Sequence, residues 1–321
     1  MASLTRKRFQ DSFFLIIAII ILAIVQFFVP SYYRFILTLI FIYGIFAMGL
    51  DLLIGYTGLL SFGHALFFGM GAFFFAFASR FYGFWPALAI GVIVATLVAA
   101  GVGAVSIRTR GVYFAVITFI FAYVAFYIAL DPSLYTITGC NDGFNFLPPP
   151  ISFGFFEVAY EPASLYYLCL AFLLLSYLVC KTIVNSPFGR VMLAVRENET
   201  RASCLGYNTT IVKLASFTFS GMFAGLSGAL FAYLYHYVNA HMLSLEVSAN
   251  AVVWVLLGGP GTLVGPILGA GIVTLFLDYV MTHIGEFHLI LLGILLIIVI
   301  IFLPRGIMGS LKVGYLWRRR K

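Results

Sequence analysis

The sequence predicts an all-α, polytopic transmembrane helical bundle of about 8–10 spans, with the N- and C-termini in the cytoplasm. Of the 321 residues, 63% are hydrophobic and only 9% are charged. The apolar residues also form runs that approach or exceed the ~20 residues that a helix needs to cross a bilayer. A chain of this composition would aggregate in water, so the sequence indicates a membrane protein.

Ten apolar segments are candidates for the membrane-spanning helices. They lie near 13–29, 35–54, 59–79, 86–106, 112–130, 164–184, 211–236, 246–258, 263–282 and 287–303. The 246–258 segment is short for a crossing, so a re-entrant helix or half-span is an alternative and the count could be eight or nine. The first segment follows a basic start, as in a signal peptide, but no small-residue cleavage site follows it. We expect one transmembrane domain over 1–321.

The basic residues predict the orientation, because short loops rich in Lys and Arg stay in the cytoplasm. With the N-terminus inside and ten crossings, only Arg34 and Arg80 of the 18 basic residues lie outside. The 131–163 connection has acidic but no basic residues and is predicted to be external, whereas the basic 185–210 connection is predicted to be cytoplasmic. The net charge of +7 therefore fits anionic lipid headgroups and gives no support to a nucleic-acid partner.

Motifs for catalysis or nucleotide hydrolysis are absent from the sequence. It contains no HExxH, no GxSxG and no GxxxxGK[ST] phosphate loop. Its four cysteines have no metal-ligand spacing, so no metal site is expected. Three classes remain: a channel, a secondary transporter, or the membrane subunit of a machine whose ATPase is a separate chain.

The cytoplasmic stretch "NSPFGRVMLAVRENETRASCLGYN" favours the third class. Proline at 187 ends the preceding span, and the pattern predicts one amphipathic helix from Arg190 to about Leu205. Gly206 then stops this helix in a left-handed conformation, and Asn208 caps the next one. A solvated connector is the plainer alternative. The segment nevertheless has the charge and apolar pattern of a partner surface.

Five motifs carry a resemblance to a known family. They are "LDLLIGYTGLLSFGHALFFGMGA" (50–72), "RTRGVYFAVITFIFA" (108–122), "SPFGRVMLAVRENETRASCLGYN" (186–208), "VLLGGPGTLVGPILGA" (255–270) and "FLPRGIMG" (302–309). In this order they resemble the permease subunits of ABC importers for branched-chain amino acids, specifically the LivM-like subunit. The resemblance covers residues from about 40 to about 310.

The resemblance implies alternating access in a heteromeric importer of a bacterial or archaeal plasma membrane. The implied partners are a homologous second permease, two ATP-binding subunits, an external (periplasmic) solute-binding protein and membrane lipids. No cofactor is implied, since the partner subunits would bind ATP. In the family the third motif docks on the ATPase, which implies coupling roles for Glu199, Ala202 and Gly206, and we add Arg196 of the same segment. Arg201 stands where the family often has a small residue.

Asp51 leaves the transported solute open. The amino-acid permeases usually have an amide-like or neutral residue there, whereas similar urea and short-chain amide permeases often read "LDL"; the 138–150 stretch also departs from the usual pattern. A urea or amide permease is therefore an alternative, as is a standalone facilitator. A carboxylate near a span is costly unless it is paired or hydrated, so Asp51 is a candidate for the translocation path. Solvation in the headgroup region is the other interpretation.

The stretch "GYTGLLSFGHALFFGMGAFFFAF" (55–77) combines polar groups with glycines. Ser61 and His64 lie one helical turn apart, which makes them candidates for the path, although a buried and hydrogen-bonded histidine is the plainer reading. Glycines at such positions let helices approach closely. The predicted helix-packing glycines are Gly55, Gly58, Gly63, Gly221, Gly225, Gly261, Gly265 and Gly269, and the last three are expected on one helical face.

Overall fold

A computed structural model describes residues 20–152, 157–158 and 161–284, and 291, 293–294, 297, 301 and 306–310 near the C-terminal end. Both chain termini, which are predicted to be cytoplasmic, lie outside the described residues. Residues 13–19 of the predicted 13–29 span and most of the predicted 287–303 span are also outside the described residues, whereas residues 20–25 are helical.

The described chain is mostly helical. Its helices are α1 (Ser31–Asp51), followed directly by a π-helix (Leu52–Thr57), then α2 (His64–Ala78), α3 (Phe84–Ser106), α4 (Val112–Ala129), a 3-10 turn (Pro132–Leu134), α5 (Tyr135–Thr138), α6 (Pro162–Asn185), α7 (Pro187–Glu197), α8 (Glu199–Cys204), α9 (Thr209–Tyr235), a second 3-10 turn (Ala240–Leu243), α10 (Leu245–Gly258) and α11 (Val264–Ile284). Four two-residue strands are β1 (Phe144–Asn145), β2 (Ile151–Ser152), β3 (Glu157–Val158) and β4 (Tyr237–Val238).

Six helices of the described residues are long and apolar enough to cross a membrane. They are α1 with its π-helical extension, α3, α4, α6, α9 and α11. The apolar helices α2 and α10 are shorter, with 15 and 14 residues. The predicted 59–79 span therefore begins later than expected, at His64, because Gly58 ends the preceding helix with φ 78°. The short 246–258 segment forms α10 with almost the predicted bounds.

Helix α1 lies at the centre of the bundle. It is buried along most of its length, whereas α3, α4, α6 and α11 are buried along a third or less of their most apolar windows. Helices α6, α9 and α11 pack directly on α1, and α9 also packs on α2 and α3. Long apolar helices with exposed outer faces around a buried central helix are the arrangement expected of a membrane bundle.

The connections separate into two ends of the bundle. At one end, β1 pairs with β4, which brings part of the predicted external loop onto the turn after α9. The Trp85 indole N–H donates to the Ser152 carbonyl at 2.8 Å at this same end, and Arg80 lies over the Phe144 ring at 4.4 Å from its centroid. The π-helix, α7 and the loop before α11 lie together at the other end, which we call the coupling end.

Small residues form the contact between α9 and α3. A Cβ atom at Gly221 would overlap the methyl group of Ala99, and one at Gly225 would overlap that of Ala95. Glycine is therefore needed at both positions for the two helices to approach this closely. The spacing of four residues repeats the contact one turn further along.

The other predicted packing glycines have backbone neighbours. Gly63 faces the Thr118 carbonyl, and Gly269 faces the Trp254 carbonyl. Gly265 lies against the Gly258 carbonyl. The prediction that Gly261, Gly265 and Gly269 share one helical face is wrong for Gly261. This residue belongs to the loop before α11 and has φ 77°.

Replacing Gly225 by leucine should destabilise the bundle by about 1–3 kcal/mol, because the side chain must displace α3. Gly101→Leu is the matched control, since nothing lies within 4 Å of a Cβ at that helical position. Thermal unfolding of the two purified variants in detergent checks this. Equal melting temperatures would contradict the close contact between α9 and α3.

Candidate functional site

The segment between α6 and α9 forms two short helices instead of the single helix predicted over Arg190–Leu205. Helix α7 begins at Pro187, where the Ser186 hydroxyl accepts from the Gly189 N–H at 3.3 Å. The break falls at Asn198, whose backbone is extended, with φ −162° and ψ 104°. Its side chain accepts from the Arg201 N–H at 2.8 Å and so caps α8. Asparagine favours such caps over helix interiors, which explains the break.

The end of the segment follows the sequence prediction. Gly206 has φ 87°, and nothing lies within 4 Å of a Cβ at this position. Glycine is therefore needed here for its left-handed backbone conformation and not for lack of space. Asn208 caps α9 by accepting from the Ile211 N–H at 3.1 Å. Ala202 is buried at 2% exposure. Glycine and asparagine thus fix the direction in which the chain enters α9.

The π-helix at the end of α1 was not predicted from the sequence. It runs over Leu52–Thr57 and ends at Gly58, which is left-handed. π-helical turns are frequent at functional sites, and the last turn of a helix leaves backbone carbonyls available to other donors. Here the Gly55 carbonyl accepts a hydrogen bond from the Arg196 guanidinium of α7. This bond joins the coupling segment to the central helix.

Asp51 lies one residue before the π-helix and is completely buried. One carboxylate oxygen accepts from the Gly261 N–H at 2.7 Å, and the other accepts from the Leu263 N–H at 3.2 Å. The interpretation that headgroup water solvates Asp51 is therefore wrong. Its role in the translocation path stays a prediction.

Close backbone contact surrounds this carboxylate. A Cβ at Gly55 would overlap the backbone of Gly261, and one at Gly58 would lie 2.9 Å from Cγ of Arg196. Only glycine at 55 leaves room for both the loop and the Asp51 side chain. We call Asp51, Gly55, Arg196, Gly261 and Leu263 the junction.

Glu199 is engaged inside the chain. Its carboxylate forms a 2.6 Å ion pair with the Lys213 ammonium of α9 and accepts from the Thr209 hydroxyl at 3.3 Å. Arg110, in the loop before α4, lies 3.8 Å away. Partial burial opposes ionisation of Glu199, but Lys213, Arg110 and Thr209 outweigh it, so the pKa of this carboxyl lies below its ordinary value. Lys213 has only 4% of its surface exposed and needs this partner.

Ser61 and His64 lie in a second polar cluster, buried beside α9. The His64 Nδ1 atom is 3.0 Å from the Ser61 hydroxyl, and its Nε2 atom is 2.7 Å from the Ser220 hydroxyl. Both ring nitrogens therefore have partners, and the rings of Phe67 and Phe217 pack edge-on against the imidazole. Ser61 and His64 are completely buried, and their assignment to the path stays a prediction.

Three participants were missed in the sequence: the π-helix, Lys213 and Ser220. A lysine five positions into an apolar helix is a signal that a partner must exist, but the sequence does not say which acid supplies the charge. Ser220 lies in an ordinary run of small and apolar residues. Among the described residues, no group of three or more His, Cys, Asp and Glu side chains could hold a metal ion.

The five motifs, which lie far apart along the chain, meet at the coupling end. The first supplies Asp51 and Gly55, the third Arg196 and the fourth Gly261, while Arg110 of the second faces Glu199. In the fifth, a Cβ at Gly306 would overlap the backbone of Gly259. A bundle of several membrane-spanning helices whose motifs meet at one end is an arrangement expected of a membrane permease.

Comparison with known proteins identifies the family. The model of the permease component of the branched-chain amino acid transport system matches residues 32–300. The chain belongs to this family of transport permeases and is therefore a transport subunit and not an enzyme. It is a multi-pass membrane protein, related to permeases of bacteria.

Two of its relatives are high-affinity branched-chain amino acid transport system permease proteins LivM, from Salmonella typhimurium and Escherichia coli K12. Each is 31% identical over 294 residues, which covers 84% of this chain and 68% of the relative. The autoinducer 2 import system permease protein LsrC of Salmonella paratyphi B is 34% identical, but over only 43% of this chain and 38% of its own length. No solved structure matches the chain significantly.

The ion pair of Glu199 makes stability depend on pH. The pKa of Glu199 is lower in the folded protein than its ordinary value of 4.5. The ion pair therefore stabilises the fold fully above pH 4.5, and this stabilisation is lost as the pH falls through the pKa of the folded state. Glu199→Gln should lower the melting temperature at neutral pH, because it leaves the Lys213 ammonium without its counter-charge. The difference from wild type should shrink below pH 4.5, the ordinary pKa of this carboxyl.

Glu197→Gln is the control, since Glu197 is an exposed carboxylate in the same segment. Melting curves between neutral pH and the acid limit of solubility measure all three proteins. A difference between wild type and Glu199→Gln that does not change with pH would refute the role of the ion pair.

Proposed function

We propose that this chain is the membrane-spanning subunit of an ATP-driven importer for branched-chain or other apolar amino acids. In this proposal α7 and α8 dock on separate ATP-hydrolysing subunits, and the bundle forms part of the translocation path. Family membership supports the transport role. Since the sequence contains no phosphate loop, the proposal assigns ATP hydrolysis to separate chains.

The hydrogen bond between Arg196 and the Gly55 carbonyl is the observation that carries the coupling proposal. Arg196 belongs to the exposed segment, whereas Gly55 belongs to the most buried helix of the bundle. A displacement of α7 would therefore act directly on the end of α1. Through Asp51 it would also act on the Gly261–Leu263 backbone, from which α11 begins.

The exposed side chains of the segment support a partner surface. Leu205 is 72% exposed and Tyr207 is 48% exposed, next to the charged Arg201. Apolar side chains among charged ones at the edge of a bundle are typical of a docking surface. Glu199 has a different role in this proposal: its bond to Lys213 holds α8 against α9, so that the docked helices move with the bundle. Ala202 is the buried residue of α8, and Gly206 permits the turn after it.

The proposed assembly contains a homologous second permease, two ATP-binding subunits and an external solute-binding protein. The predicted external loop is folded onto the turn after α9 by the β1–β4 pair and offers a surface for the binding protein. Alternating access then requires the two ends of the bundle to open in turn. The junction lies at one end and the β-pairs lie at the other.

Apolar amino acids are the proposed cargo because of the named relatives and the aromatic content. The LivM relatives cover far more of the chain than the LsrC relatives do. The urea or short-chain amide alternative depended on the 138–150 stretch and on Asp51, whose two carboxylate oxygens already accept backbone N–H groups. That observation weakens the case for Asp51 as a group that selects urea.

Arg196→Lys should reduce ATP-driven leucine uptake by about tenfold, because lysine keeps the charge but lacks the planar guanidinium that reaches Gly55. The ATPase subunits should still co-purify with the permease, and ATP hydrolysis should continue. Uptake into vesicles that contain the complete assembly, together with the ATPase rate, measures this loss of coupling.

Arg190→Lys is the matched control, since Arg190 is exposed on the same helix and the same substitution should leave uptake unchanged. Equal losses for both variants would contradict a specific role of Arg196. Loss of the ATPase subunits from the purified Arg196→Lys assembly would instead assign Arg196 to docking.

The cargo is tested by competition. In vesicles that hold the whole assembly, excess unlabelled leucine should suppress ATP-driven uptake of labelled isoleucine, whereas urea should have no effect. Suppression by urea but not by leucine would contradict the proposed cargo but not the proposed ATP-driven importer. Uptake that continues without ATP and without partner subunits would favour a standalone facilitator.

A further inference from the structure

Two adjoining cavities lie between α1, α9 and α10. Their volumes are 330 and 400 Å³, and Tyr43, Tyr235, Asn250 and Trp254 line both of them. Cavities that bind small molecules typically measure about 300–1,000 Å³. Neither cavity is lined by Asp51, Ser61 or His64, so this site is separate from the path candidates found in the sequence.

Aromatic rings form most of the shared wall. The ring centroids of Tyr43 and Trp254 are 4.5 Å apart, and those of Phe231 and Tyr235 are 4.4 Å apart. On α10, Asn250 and Trp254 are four residues apart and so share one helical face. The wall therefore offers a large apolar surface with one amide in it. Aromatic faces also attract cations such as an ammonium group.

Two buried polar groups at these cavities lack hydrogen-bond partners in the described part of the chain. They are the indole N–H of Trp254, a residue that lines both cavities, and the hydroxyl of Thr274, a residue that lines the larger one. Trp254 is only 4% exposed. Buried donors in native proteins nearly always have an acceptor. Two buried donors without one, both beside the larger cavity, therefore indicate a ligand that supplies the acceptor.

We propose that the two adjoining cavities, which share Tyr43, Tyr235, Asn250 and Trp254 as lining residues, bind the transported solute as a zwitterionic apolar amino acid. The solute carboxylate accepts hydrogen bonds from the Trp254 indole N–H and the Asn250 amide. Its ammonium group lies over the aromatic faces, and its aliphatic side chain fills the apolar volume. This inference rests on the proposed function and specifies where the solute is held.

The indole nitrogen itself is covered in this conformation, so binding includes a side-chain rotation of Tyr43 or Trp254. Rotations of this kind are common when a site closes on its ligand. The smaller cavity also borders Tyr237 and Asn239 in the turn after α9, at the end opposite the junction. A solute bound here is therefore close to the predicted external side.

Cysteine protection in the complete assembly tests the site. The four native cysteines are replaced by serine, and a single reporter cysteine is introduced at Val247 or Asn239, both of which line the smaller cavity. Leucine should slow labelling of each reporter by a water-soluble thiol reagent at least about fivefold. Leu147→Cys is the control, because Leu147 is 90% exposed and its labelling should not respond to leucine. Leucinol, which lacks the carboxylate, should not protect.

Trp254→Phe tests the indole N–H, because it keeps an aromatic ring and removes the donor. The leucine concentration for half-maximal protection should rise at least about tenfold, as expected for a lost bond to a charged group. Labelling without leucine should be unchanged, which verifies that the variant is folded. Trp85→Phe is the matched control, since the Trp85 N–H donates to the Ser152 carbonyl far from the cavity.

The outcomes separate this site from the proposed function. Leucine uptake without protection at either reporter would overturn the site and keep the cargo. Equal protection by leucinol, or an unchanged leucine requirement in Trp254→Phe, would overturn the assigned carboxylate contact. Absence of leucine uptake, with protection by urea, would overturn the proposed cargo together with the assigned solute class.

Discussion

The two hydrogen bonds that the Asp51 carboxylate accepts from Gly261 and Leu263 hold the coupling end together. The loop before α11 has backbone N–H groups that cannot pair within a helix, and inside a bundle an unpaired group costs about 1–3 kcal/mol. One buried acid satisfies two of these groups and joins α1 to α11. The close approach of Gly55 and Gly261 also requires glycine at position 55, since any side chain there would push the loop away.

The junction lies where the central helix ends in a π-turn. The Gly55 carbonyl belongs to the last turn of this helix, where carbonyls have no partner within the helix, and it accepts from the Arg196 guanidinium. The positive charge near Asp51 further compensates its burial. Two short helices at the surface are thereby tied to the most buried element of the bundle, and this connection gives the proposed coupling a physical route.

Much of the fold was predictable from the sequence because each signal was local. The end of α6 before Pro187, the left-handed Gly206 and the Asn208 cap were predicted correctly, since such signals depend on the residue and its nearest neighbours. The single helix over Arg190–Leu205 was wrong because Asn198 caps α8 by accepting from Arg201. The later start of α2 and the loop position of Gly261 were missed because both depend on left-handed turns that the apolar pattern does not reveal.

By itself the sequence determined an all-helical membrane protein, the long spans and the five motifs of a permease, because apolar length and composition are properties of the chain alone. Only the tertiary structure decided which polar groups pair. Asp51 bonds to residues more than 200 positions away, and His64 meets Ser220 across 156 positions. Partners so distant in sequence are selected by helix packing, because burial makes an unpaired polar group costly and the packing decides which second group lies within reach.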